Sequence, residues 1–82
     1  MTKYKKKPII VDAIQWDGTN NKDIYDFGED RVAIYGNTIA ITDETKNYVM
    51  TAKIGDWIIK GLDGEIYPCE NARFNEIYER VG

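Results

Sequence analysis

"GDWIIKGLDGEIYPC", residues 55–69, packs three glycines, a tryptophan, a tyrosine, a proline and the only cysteine of the chain into fifteen positions. Gly55-Asp56 and Gly61-Leu62-Asp63-Gly64 bracket a four-residue apolar run, Trp57-Ile58-Ile59-Lys60. Glycine accepts backbone angles that other residues resist, and Asp56 and Asp63 can hydrogen-bond nearby main chain, so the stretch reads as strand, corner, strand. It is a poor phosphate cradle: the Gly-x-x-x-x-Gly-Lys-Ser/Thr spacing and a following helix are both missing.

Working outward, turn chemistry recurs at Gly36-Asn37, Asp43-Glu44, Asn47 and Gly55-Asp56. Gly-Asn between β-branched runs suits a two-residue hairpin whose first position needs positive φ. Short antiparallel strands are expected at 32–35, 38–42, 48–53, 57–60 and 65–68. "IIVDAIQW" (9–16) is β-branched and largely apolar on both faces, which predicts a central strand at least half of which is buried on both faces. Between them, "DGTNNKDIYDFGED" (17–30) carries a helix signal near 20–28. Thr19 or Asn20 would cap it, Gly28 would stop it in the left-handed region, and Ile24 and Phe27 would share a buried face. After Cys69, Asn71 is expected to cap a helical turn at 71–75 carrying Phe74 inward, and alternation from Ile77 reads as a last strand, with a continuing helix as the alternative. The fold class is α+β, mainly β: a small antiparallel curled sheet or partly open barrel.

The 82 residues make one domain, 1–82, with residues 1–7 expected as a flexible Lys-rich tail. A hydrophobic fraction of 43% with ten aromatics is enough to drive folding. No apolar run approaches the ~20 residues that span a bilayer, and the start does not read as a signal peptide, so a soluble, cytoplasmic protein without membrane partners is expected. Charge is uneven: residues 1–7 carry +4, while the remainder, with seven basic and fourteen acidic side chains, carries −7. Duplex nucleic acid, which requires a broad basic footprint, is not an expected partner.

The chain has no histidine and no serine. Ser–His and Cys–His catalysis are therefore excluded, a zinc site would have to rely on carboxylates, and no cofactor is expected. Cys69, at a strand end, reads as a small buried hydrophobe rather than a nucleophile. Asp56 with Asp63 or Glu65 could converge on a metal, but turn-forming roles account for them more simply. The protein is expected not to be an enzyme.

The side chains that point to binding are aromatic and basic: Trp16, Trp57, Tyr67 and Tyr78 beside Lys5, Lys60, Arg73 and Arg80. Bases stack on aromatic rings at ~1–3 kcal/mol each, and phosphates seek ammonium and guanidinium groups, so the set has the chemistry for a small anionic nucleotide. Trp57, followed by two isoleucines, reads first as a core residue; Trp16, before the Asp17-Gly18 turn, reads as a rim residue. The six tyrosines equally suit a protein–protein surface.

"YKKKPIIVDAIQW" and "GDWIIKGLDGEIYPCENARFNEIYERV", about half the chain, together resemble a family of small phage and prophage proteins. Its members open with a Lys-rich stretch, Pro, an apolar strand and Ile-Gln-Trp, and close with Gly-Asp-Trp-Ile-Ile-Lys-Gly, Gly-Glu, Tyr-Pro-Cys, Phe and Tyr-Glu. Ile54, where Pro is common, and "ENARF", where Lys-Pro-Asp-x-Phe is usual, depart from the pattern. The resemblance implies a phage origin and action by stoichiometric binding, with no catalytic residues attached. The expected function is sequestration of a nucleotide immune signal by a homo-oligomer in the host cytoplasm. The alternatives are a protein-binding inhibitor or adaptor acting on a host protein, and a virion or assembly accessory.

Overall fold

Six four-residue strands and two helices follow one another in the computed structural model, which describes residues 1–5, 8–43 and 46–81. Part of the expected basic tail (Lys6, Lys7) and of the Asp43-Glu44 turn lies outside the described residues, as does Gly82. The order is β1 (Asp12–Gln15), α1 (Asn21–Gly28), a 3-10 turn (Glu29–Arg31), β2 (Val32–Tyr35), β3 (Thr38–Ile41), β4 (Met50–Lys53), β5 (Trp57–Lys60), β6 (Ile66–Cys69) and α2 (Asn71–Ile77). The fold is α+β and mainly β, as expected. Its strands divide into two three-stranded antiparallel sheets, β1-β5-β6 and β2-β3-β4, with no closed barrel.

The corner at residues 53–56 hands the chain from one sheet to the other. Asp56 Oδ2 accepts the Lys53 amide at 2.8 Å, the Asp56 amide donates to the Lys53 carbonyl at 2.9 Å, and Gly55 takes φ +97°. Gly55 N–H also donates to the Trp16 carbonyl at 2.7 Å, and Trp16 N–H to the Asp56 carbonyl at 3.0 Å, which ties the corner to the end of β1. The β2–β3 hairpin turns at Gly36-Asn37 with Gly36 at φ +58°, as its sequence predicts.

Trp16, Ile24, Val32, Ile39, Ile41, Ala52, Ile58 and Ile66 form one cluster drawn from α1 and both sheets, with Phe27 packed against it. Burying an isoleucine side chain stabilises by about 1.5–3 kcal/mol, so this cluster holds the sheets together. Ile59 is fully buried too, but alternation puts it on the opposite face of β5 from Ile58. That second face also carries Trp57 and, by register, Ala13 and Tyr67, and there α2 docks through Phe74.

Five expectations are corrected. The doubly buried central strand is β5, with Ile58 and Ile59 both at 0% exposure; β1 is an edge strand, because only β5 pairs with it. It starts at Asp12 rather than Ile9, since its register partner there, Lys60, is the last residue of β5. Gly28 ends α1 at φ −89°, and the left-handed residue is Glu29 at φ +57°. Glycine is needed at 28 for space, because a Cβ there would meet Val32 Cγ1 at 2.4 Å. Neither Asn20 nor Asn71 caps a helix with its side chain: Asn20 Oδ1 accepts the Asp17 amide at 3.0 Å, and Asn71 lies inside α2. Finally, α2 runs to Ile77, and residues 78–81 form no strand, although Tyr78 has extended angles (φ −116°, ψ 150°).

Candidate functional site

An aromatic and amide cluster covers the second face of the β1-β5-β6 sheet. The Trp57 and Phe74 rings stack at 3.9 Å, 5° from parallel, and Phe74 meets the Tyr78 ring at 5.0 Å. Asn71 Oδ1 accepts Trp57 Nε1–H at 2.9 Å and Gln15 Nε2–H at 3.3 Å. The Tyr67 and Tyr78 hydroxyls lie 3.4 Å apart. Loss of solvent around Tyr67, with that hydroxyl partner, pushes its phenol up to about 12. Burial likewise raises the Cys69 thiol, so it is held in the unreactive form at neutral pH.

Beside the cluster run two adjoining clefts of 540 and 470 Å³ that share Ile9, Ile10, Val11, Tyr78, Glu79 and Val81. Together they make one groove between the segment before β1 and the segment after α2. The first cleft adds Leu62, Ile77 and Tyr67; the second adds Trp57 and Phe74. Ile9, Ile10, Leu62, Ile77 and Val81 are all exposed. Among the described lining residues, the charges are Asp12, Asp63, Glu65 and Glu79 against Arg80. A further concavity of 760 Å³ holds Arg31 and Lys46 among Asp30, Asp43, Asp63 and Glu65.

The eight aromatic and basic candidates do not assemble into one site. Trp57, Tyr67 and Tyr78 come together in the aromatic cluster. Trp16 does not: it is 1% exposed in the core, with Nε1 donating to Asn21 Oδ1 at 2.8 Å, so its expected place at a rim is corrected. Trp57, expected as core, is half-buried. Lys60 lies on the other face of β5, with Nζ 4.6 Å from the centroid of the Phe27 ring. Arg73 is exposed on α2, 3.7 Å from Glu76, and Lys5 is exposed before the strand. Of the basic candidates, Arg80 alone lines the groove.

Of the carboxylates considered for a metal, Asp56 and Glu65 serve turns. Asp56 accepts the Lys53 amide, and Glu65 Oε2 accepts the Asp63 amide at 3.2 Å. Among the described residues no three His, Cys, Asp or Glu side chains converge to hold a metal ion, and no helix is long and apolar enough to cross a membrane. Sequence reading missed the groove and the amide pair Gln15–Asn71. The available signal was the apolar residues at the two ends of the chain, Ile9-Ile10 and Ile77-x-x-x-Val81, which an end-to-end meeting brings together. A search of family models, curated proteins and solved structures finds no match to the chain.

Proposed function

We propose that this protein acts by stoichiometric binding of another polypeptide, and that the groove between residues 8–11 and 77–81 receives an apolar segment with basic flanks. The observation that carries this reading is the lining: exposed aliphatic and half-buried tyrosine side chains with, among the described residues, four carboxylates to one guanidinium. Apolar side chains supply affinity by leaving water, and acidic edges select Lys or Arg at the flanks. A nucleotide sponge instead needs a concave basic spot and free ring faces. Both concavities are net acidic, and Trp57 gives one of its ring faces to Phe74. The protein-binding alternative is thus favoured over sequestration of a nucleotide. The phage-family resemblance adds that the partner is a host protein met in the host cytoplasm.

The test is chemical-shift mapping of labelled protein with two synthetic peptides sharing one apolar centre, flanked by lysines or by glutamates, and with cyclic dinucleotides as a third arm. The lysine-flanked peptide is expected to shift the Trp57 indole and the backbone of 78–81, and Leu62→Glu with Val81→Asp to abolish the effect. Saturable nucleotide binding, with neither peptide perturbing the groove, would refute the proposal.

A further inference from the structure

Residues 9–16 carry a continuous strand signal, yet pairing begins at Asp12 because β5 ends opposite it at Lys60. Ile9 and Ile10 are left 51% and 72% exposed, β-branched residues beside a sheet that stops short of them. Antiparallel pairing alternates the direction of main-chain groups, and Trp16 N–H bonds to Asp56. Positions 12, 14 and 16 therefore face β5, while Ala13 and Gln15 face the open edge. The Gln15 carbonyl accepts Asn20 Nδ2–H at 2.8 Å, which covers that end. Among the described residues, no main-chain hydrogen bond reaches the open edge at Ile9, Val11 or Ala13. An uncovered apolar edge is a template for another strand.

We infer that a second copy of this chain supplies that strand: two β1 edges pair antiparallel about a two-fold axis at Val11, and each strand lengthens to begin at Ile9. This register places Val11 opposite Val11, Ile9 opposite Ala13 and Ile10 opposite Asp12, and it pairs the whole of 9–13. Centring on Asp12 instead would set two carboxylates side by side, which is destabilising. Charge favours the antiparallel sense, because this register sets Lys5 of each copy opposite Asp17 of the other. The result is a six-stranded sheet, β6-β5-β1-β1-β5-β6, with the two grooves adjoining on one face. The pairing stands independently of what the grooves hold.

Light scattering of the full chain is expected to give twice the 9.5 kDa monomer mass, falling toward the monomer on dilution. Val11→Pro removes an edge N–H, and Ile10→Asp sets a carboxylate against Asp12; each should give a monomer with an unchanged near-ultraviolet spectrum. Lys5→Glu should weaken the dimer about five-fold, as expected for losing two exposed ion pairs. Val11→Cys in a Cys69→Ala background should cross-link on mild oxidation, since paired strands hold facing Cα atoms ~5.5 Å apart. A monomer at all concentrations overturns the inference, as does a dimer that survives both edge variants. Should Val11→Pro unfold, failure of the Val11→Cys cross-link overturns it equally.

Discussion

Phe74→Ala tests how α2 is held. The helix has seven residues, below the ~12 at which an isolated helix becomes even marginal in water, so its helicity depends on docking. The docking consists of the Trp57–Phe74 stack at 3.9 Å and the Asn71 amide on Trp57 Nε1. Truncating a fully buried phenylalanine costs about 3–5 kcal/mol; Phe74 is half-buried, so about 2 kcal/mol is expected, and loss of the stack adds about 1 kcal/mol. A domain of 82 residues has about 4–12 kcal/mol of total stability, so the variant should fold but melt about 12–24 °C lower. Hydrogen exchange localises the effect. The amides of Phe74 and Tyr78, bonded to Glu70 and Phe74 carbonyls at 2.8 Å each, should lose protection first, while β3 keeps its own. Arg73→Ala is the control, because its exposed contact with Glu76 contributes little. If Phe74→Ala and Arg73→Ala show equal protection at Tyr78 and equal melting temperatures, the docking account is wrong.

Gly28→Ala puts a methyl 2.4 Å from Val32 Cγ1, so a loss of about 1–3 kcal/mol is expected in urea titration, largely recovered by adding Val32→Ala. Trp16→Phe removes ring volume and the 2.8 Å bond to Asn21; about 2 kcal/mol should be lost, and the buried component of tryptophan fluorescence should vanish while the Trp57 component stays. Tyr67 has a folded-state phenol raised from 10.0 to about 12, so the unfolded chain releases this proton first. Its stabilising contribution is complete below pH 10 and declines as the pH rises toward 12. Denaturation midpoints across that window should fall less steeply for Tyr67→Phe than for the parent, and an identical slope would remove Tyr67 from the account.

Local chemistry made the corners legible. Gly55-Asp56 and Gly36-Asn37 act within a few residues of themselves, and both turns lie where their sequences put them. What depends on distant partners was not legible. A strand apolar on both faces looks the same whether it is buried twice or ends in the open, so 9–16 did not disclose that β5 stops at Lys60. Trp16 beside a turn looked exposed, but bonds from Gly55 and to Asp56, some forty residues on, draw it inward. The alternation from Ile77 does mark extended backbone at Tyr78, but no strand pairs with it among the described residues.

The failure of the aromatic and basic inventory to form one site has a simpler origin, and part of it was available from spacing alone. Side chains on a strand alternate faces, so Trp57 and Lys60, three residues apart, cannot address the same small ligand. The structure gives each its own neighbour: Phe74 for the indole, and the Phe27 ring for the ammonium on the core side. With those surfaces engaged inside the molecule, the proposed function rests on the groove between residues 8–11 and 77–81, where exposed Ile9, Ile10, Leu62, Ile77 and Val81 lie among carboxylates. An acidic, aliphatic groove repels an anionic nucleotide, which is why the proposed function is argued from the lining rather than from the count of aromatic rings.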